Sequence, residues 1–321
     1  MKAIVYTKYG TPDVLQLKEV NKPVPKDDEI LVKVYAASIN SWDWDMVRGK
    51  PLVVRMWGLF KPKYKIPGCD MAGKIEAIGK SVTKFKPGDE VFGDLCESGF
   101  GAFAEYTCAK ENALALKSTK MSFEEAAATP QAAMMAVQAL RDVIKIKPGQ
   151  KLLINGAGGA VGTFAVQIAK LYGTEVTGVD HPSKFEMMRC IGFDHLIDYT
   201  KEDFTKAGKC YDAILDVRTD RSIFSYYKVL NRHGMYATVG GQLNRILGAS
   251  LFFRWWLAWF RKKHYRLVAM KANKDLAYMN ELFEAGKVKP VIGSVYKLNE
   301  TAAAFRLFSS GVQKGKIVLV I

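Results

Sequence analysis

The clearest chemical pattern in the chain is Asn155-Gly156-Ala157-Gly158-Gly159-Ala160-Val161-Gly162. Glycine at 156, 159 and 162 keeps Cβ atoms out of the way, so backbone N–H groups can approach a pyrophosphate. Gly158, Ala160 and Val161 complete the turn expected to hold it. Asp180 stands 18 residues beyond Gly162, at the end of the apolar run Glu175-Val176-Thr177-Gly178-Val179. A carboxylate at that strand tip is placed to accept the ribose hydroxyls of a dinucleotide. The spacing is G-x-x-G-x-x-G, one residue longer than the commonest fingerprint. A tight strand–helix turn that binds nothing is the alternative.

The flanking residues supply the elements such a turn needs. Lys151-Leu152-Leu153-Ile154 is a short apolar run suited to a strand buried on both faces. Val161, Phe164, Ala165, Ile168 and Leu171 recur at helical spacing, and Gly173 follows as a helix-ending residue. From residue 150 onward strands are expected at 151–155, 175–179, 195–198, 212–216 and 235–239, with helices at 160–172, 184–191 and 221–230. That alternation predicts a doubly wound parallel sheet. Residues 1 to 110 instead read as short strands at 2–7, 14–20, 29–38, 72–78, 90–93 and 102–107. Ser122 with Glu125 is a capping-box signature, opening a helix that continues through 126–143 with a break allowed near Pro130. Helices at 274–286 and 299–310 and a strand at 316–321 end the chain.

The chain has 321 residues, 49% hydrophobic and 25% charged, ordinary for a globular protein of two domains. It opens on strand-like residues rather than on a signal or transit peptide, and no apolar stretch reaches membrane-spanning length, so a cytoplasmic protein is expected. Five cysteines at 69, 96, 108, 190 and 210 never fall in C-x-x-C spacing, which argues for a reducing compartment and against a disulfide framework. The net charge of +15 is unevenly placed: residues 221–274 hold 11 Lys or Arg and no Asp or Glu. Such a field favours anionic partners, and without a nucleic-acid motif a nucleic acid is not among those expected.

Taken together, MKAIVYTKYGTPDVLQL, AASINSWDW, IPGCDMAGKIEAIGKSVTKFKPGDEVFG, GAFAEY, NGAGGAVGTFAVQIAK, DHLIDYTKEDF, GKVKP and GKIVLVI resemble the medium-chain dehydrogenase/reductase superfamily, in its zinc-independent quinone oxidoreductase-like branch. The resemblance implies an α/β protein with a GroES-like β-barrel catalytic domain, residues 1–122 completed by 270–321, and an inserted Rossmann nucleotide-binding domain, residues 123–269. It implies hydride transfer from NAD(P)H to a quinone or activated enone or carbonyl, in a homodimer. A nucleotide-binding scaffold or peripheral membrane protein of the same fold with little turnover is the alternative. The zinc-ligand positions of metal-dependent relatives fall on Asn40, Cys69 and about Gln131, a set that does not suit tetrahedral zinc, so no metal is expected.

Without a metal, the developing oxyanion needs hydrogen-bond donors, and Asn40 is the first candidate. A turn-capping amide is its alternative role. Asp43 of the same motif is a catalytic candidate as a proton relay, or a helix-start carboxylate. Met135 occupies a place where the family often has threonine. Lys184 and Tyr199 match positions that contact the 2′-phosphate in NADPH-using relatives, and Val239 with Gly240 completes the expected cofactor site. Asp180 opposes that phosphate, so use of both cofactors with a slight lean to NADH is expected. Residues 246–266 are the least family-like. There Phe252, Trp256 and Trp259 share a helical face opposite Arg254 and Arg261. That pattern suits a roof over the substrate, a dimer contact, or docking on an anionic membrane surface.

Overall fold

The computed structural model describes residues 1–239 and 263–321. The chain opens with β1 (Lys2–Val5) antiparallel to β2 (Gln16–Glu19), joined through a 3-10 turn at Pro12–Val14. β3 (Glu29–Ser38) is the spine of the first sheet, with Ile30, Val32, Val34 and Ala36 fully or nearly fully buried. The Asn40 backbone N–H then donates to the Asp43 carboxylate at the start of α1 (Ser41–Arg48), and Gly49 at φ 63° ends the helix in the left-handed region. After a 3-10 turn at Leu52–Trp57 come β4 (Asp70–Ile78), β5 (Glu90–Asp94), β6 (Tyr106–Lys110) and β7 (Ala115–Leu116). The strand expected at 102–107 lies four residues later, because Phe100 and Gly101 take positive φ and Ala104 makes only a single bridge to Ala3.

The alanine-rich segment is not one helix. Ser122 and Glu125 form the expected capping box of α2 (Phe123–Ala127); Pro130, which lacks an N–H, opens α3 (Pro130–Val137); a π-helical turn covers Gln138–Ile144. Beyond it, β8 (Lys151–Asn155), α4 (Ala160–Leu171), β9 (Glu175–Asp180), α5 (Phe185–Cys190), β10 (His195–Asp198), β11 (Tyr211–Asp216), α6 (Ile223–Lys228), β12 (Leu230–Thr238) and β13 (His264–Leu267) form a wholly parallel six-stranded sheet. Its order, β10-β9-β8-β11-β12-β13, reverses direction at β8, the switch point where such sheets bind ligands. Leu153, Val179, Ile214, Tyr226 and Tyr236 lie in its core. β13 was not expected from sequence, and its residues are mostly exposed.

The chain then returns to the first sheet through α7 (Leu276–Glu284), β14 (Ile292–Lys297), α8 (Thr301–Ser310) and β15 (Lys316–Val320). β15 inserts between β14, parallel to it, and β3, antiparallel to it, giving the order β14-β15-β3-β4-β5-β7 with β6 also on β3. The two compact units are therefore Met1–Met134 with Lys271–Ile321, and Met135–Met270. α2 and the start of α3 belong to the first unit rather than to a domain starting at 123. Phe123 stacks on Tyr35 at 4.6 Å, and Ala127 accepts a hydrogen bond from Ser38 Oγ. The fold is mixed α/β, a GroES-like unit interrupted by a doubly wound parallel sheet. Among the described residues no helix is long and apolar enough to cross a membrane.

Candidate cofactor and active sites

In the second unit the glycine turn joins the end of β8 to the start of α4. Gly156 has φ +82°, a conformation that side chains disfavour, which swings the chain out of the strand. At Gly162 a Cβ would lie 2.3 Å from the Ala157 carbonyl oxygen, so only glycine lets the first turn of α4 press against the loop. α4 itself begins at Gly159 with no side-chain cap and no acidic residue in its first turn. α1 and α2, by contrast, carry acidic residues in their first turns, Asp43 in one and Glu124 with Glu125 in the other. The amides at Ala160, Val161 and Gly162 thus sit at a positive helix end without an internal anion, the arrangement that suits a phosphate.

Asp180, at the tip of β9, is 96% buried, and its carboxylate is already engaged. Oδ2 accepts from the Gly158 N–H at 2.8 Å; Oδ1 accepts from the His181 N–H at 2.8 Å and pairs with Lys184 Nζ at 3.0 Å. The Lys184 stem runs across Gly158. Asp180 therefore ties the glycine turn to Lys184, and a diol would have to share an acceptor that three donors occupy. Tyr199 follows β10, its ring 6.3 Å from that of His181 and 5.6 Å from the Arg218 guanidinium. Arg218 was not singled out from sequence. Its backbone lies beside Gly156, and the loop after β11 that places it is visible only once β11 is known to adjoin β8. Val239 donates its N–H to the Asp216 carbonyl at 3.2 Å, while Gly240 and most of 246–266 lie outside the described residues.

A separate polar cluster is buried in the first unit. Lys316, at the start of β15, has a fully buried side chain. Its ammonium donates to Asn40 Oδ1 at 2.7 Å and to Asp70 Oδ2 at 3.2 Å. Because an ammonium can only donate, the Asn40 oxygen faces Lys316 and the amide NH₂ is left as a donor. Nδ2 is buried with no hydrogen-bond partner among the described residues. The Asn40 backbone N–H donates to Asp43 Oδ2 at 2.8 Å, while Asp43 Oδ1 has no partner among the described residues. Burial pushes the Asp43 carboxyl up to about 7, against the pull of the Asn40 N–H and the Cys69 thiol. Burial likewise holds the Cys69 thiol well above its ordinary range, with the Asp43 charge adding to it.

Asp70 also accepts from the Gln131 N–H and from Ser38 Oγ, each at 3.3 Å. Asp94 is pushed up to about 6 by burial and then by Asp70. The network thus joins Asn40, Asp43, Cys69 and Gln131, the residues the sequence had singled out, and adds Asp70, Asp94 and Lys316, which it had not. Met135 lies in α3. Of the two roles open to Asn40, the structure shows the backbone end of the cap; the side-chain amide is oriented by Lys316 instead.

Comparison with known proteins gives two family matches, "Alcohol dehydrogenase GroES-like domain" over residues 26–119 and "Zinc-binding dehydrogenase" over residues 191–319. The quinone-oxidoreductase homolog of the Spinacia oleracea chloroplast is 33% identical, over 99% of this chain and 98% of its own length. The chloroplastic NADPH-dependent alkenal/one oxidoreductase of Arabidopsis thaliana is also 33% identical, over 99% of this chain and 79% of its own length. Among solved structures, the quinone oxidoreductase from Coxiella burnetii superposes with a TM-score of 0.90 at 28% identity, covering 100% of this chain and 99% of its own.

Proposed function

This chain belongs to the medium-chain dehydrogenase/reductase superfamily, among its quinone oxidoreductases and enone reductases, and from that premise we propose that it reduces quinones or activated enones with NAD(P)H and without zinc. The observation that carries the chemistry is the Asn40 amide, turned by Lys316 so that its NH₂ is the unpartnered donor. A donor fixed in advance at a dry site stabilises the oxyanion that forms as an enone or quinone carbonyl is reduced. Asp43, whose carboxyl burial pushes up to about 7, accepts the Asn40 backbone N–H and is the acid proposed to give up a proton there.

The nicotinamide cofactor supplies the hydride when bound. The residues proposed to hold it are Gly156, Gly158, Gly159, Ala160, Val161 and Gly162 at the phosphates, with Asp180, Lys184, Tyr199, Val239 and Gly240 around the rest. The bare N-terminus of α4 supports that assignment. Asp180 supports a slight lean to NADH, while its pairing with Lys184 neutralises the charge that would otherwise repel a 2′-phosphate, so both cofactors are used.

The donor set at positions 40, 69 and 131 does not suit zinc. Two are amides, the Cys69 thiol is held protonated by burial, and the Lys316 ammonium already supplies the local positive charge. No group of three or more His, Cys, Asp or Glu able to hold a metal occurs among the described residues. The proposal extends, on sequence grounds, to a cytoplasmic homodimer in which residues 246–266 roof the substrate, form a dimer contact or dock on an anionic membrane surface.

Turnover of NADH and NADPH against a panel of quinones and enones, with zinc measured on the same chelator-free sample, tests the reading. Turnover with clearly less than one zinc per chain is expected. Cofactor binding without turnover on any substrate would point to a scaffold, and a full equivalent of zinc needed for activity would end the metal-free assignment.

A further inference from the structure

The first unit exposes an apolar ridge that neither proposed site uses. Residues 46–69 contain no Asp or Glu, yet hold Arg48, Lys50, Arg55, Lys61, Lys63 and Lys65. Within them Leu52 is 75% exposed, Met56 81%, Leu59 64% and Phe60 88%. Four large apolar side chains open to water within nine residues form a patch of the sort that marks an interaction surface.

The ridge is fixed to the unit from below. Val54 is fully buried with Met46, Cys69 and Phe100. The Arg55 guanidinium lies 5.1 Å from the Tyr9 ring centre and donates through Nε to the Gly49 carbonyl at 3.0 Å. Tyr9 OH donates to the Gly58 carbonyl at 2.6 Å. Leu52, Met56, Leu59 and Phe60 thus stay on the outside while their neighbours are tethered.

We infer that residues 50–65 are a docking surface for an anionic lipid membrane. The composition decides the occupant. From residue 50 to residue 63 there is no Ser, Thr, Asn, Gln, Asp or Glu, so apart from the Trp57 indole every polar side chain is a cation. A protein partner is met through paired hydrogen bonds, roughly one for every 100–200 Å² of interface, and this ridge offers few side chains to make them. Hydrocarbon needs none. Lipid phosphates need only cations at the level of the headgroups, and Lys50, Lys61, Lys63 and Lys65 are all exposed at the flanks of the apolar residues. The 3-10 turn at the ridge is six residues long, so it inserts at the interface and does not span.

This surface is independent of residues 246–266 and of the assigned reaction. If that reaction holds, the surface brings an enzyme of lipophilic quinones and enones to the phase where they dissolve.

The test is co-sedimentation of the full-length protein with vesicles of phosphatidylcholine alone and of phosphatidylcholine with phosphatidylglycerol. Binding is expected only with the anionic lipid, at low salt, and is released as salt is raised. Leu52→Ser/Met56→Ser/Phe60→Ser lowers the partition about tenfold or more, and Lys61→Gln/Lys63→Gln about tenfold. Both variants should unfold at the wild-type temperature, because the altered side chains are exposed. Trp255→Ser/Trp256→Ser/Trp259→Ser separates the other segment. Loss of binding there with none in the ridge variants would overturn the inference, as would wild-type protein that stays in the supernatant with anionic vesicles. A lipid-free dimer that the triple ridge variant converts to monomer would also overturn it, since a second copy would then cover the ridge.

Discussion

Replacing Lys316 with methionine probes the polar cluster at its centre. The substitution keeps the stem and removes the ammonium, which donates to Asn40 Oδ1 at 2.7 Å and Asp70 Oδ2 at 3.2 Å. Asp70 is fully buried, and the bonds it keeps, from Ser38 Oγ and the Gln131 N–H, are both long at 3.3 Å. Removing one partner of a buried ion pair costs about 3–5 kcal/mol, because the other charge stays out of water. Lys316→Met should therefore lose about 3 kcal/mol or more in urea unfolding at neutral pH. Asp70→Asn should lose a comparable amount, since it strands the lysine. The double variant strands no charge and should recover most of that loss, giving an interaction energy of about 3 kcal/mol in the cycle. Activity adds an independent readout. Without Lys316 the Asn40 amide can turn over, so kcat should fall about tenfold to a hundredfold, while KM for the nicotinamide cofactor holds. Additive stabilities, or a Lys316→Met enzyme within about 1 kcal/mol of wild type, would refute the pairing.

Asp43→Asn tests the buried acid. The folded chain holds this carboxyl at about 7 against an ordinary 3.8, so between those values it keeps a proton that the unfolded chain releases. Wild-type stability accordingly falls as pH rises from about 4 to 7, by about 4 kcal/mol at 1.36 kcal/mol per pH unit, and is constant in this contribution outside that window. Urea midpoints across the window should show Asp43→Asn without that slope; an unchanged slope assigns it elsewhere, with Asp94 at about 6 the next candidate. Gly162→Ala places a Cβ 2.3 Å from the Ala157 oxygen, and NAD(P)H fluorescence titration should show binding weakened about tenfold or more. Wild-type affinity would mean that the turn does not hold the phosphates. Asp180→Ser should shift the ratio of kcat/KM values toward NADPH, and an unchanged ratio would show that Asp180 acts only on Lys184 and the glycine turn.

What the sequence disclosed was local. β8 and α4 were legible because apolar spacing, a glycine turn and a helix stop all lie within a few residues of one another, and β3 because its apolar run stands between Pro- and Asp-containing segments. Asn40 and Asp43 were legible as a motif, and their capping geometry follows from the three-residue spacing. Lys316 was not. A lysine opening the run Lys316-Ile317-Val318-Leu319 reads as a solvated strand end, and its partners lie 246 and 276 residues away. Nothing local reports that β15 slots between β14 and β3. The role of Asp180 was incomplete for a similar reason. Its position at a strand tip was clear, but its occupation by Lys184 and the Gly158 amide depends on how the turn folds back over β9.

The insertion of one unit within the other also sets a timetable. Asp70 leaves the ribosome 246 residues before Lys316, which at roughly 5–20 residues per second is an interval of about 10–50 s. All of Met135–Met270 is made in that interval, and it has a sheet of its own to fold into. Meanwhile the stretch of β3 from Ala36 to Ser38, which β15 later pairs, offers an open strand edge. Until Lys316 arrives, Asp70 can stay hydrated only if the nascent first unit has not closed around it. The ammonium arrives with β15, the last strand of the first sheet to be made, and it is that strand which closes the open edge of β3.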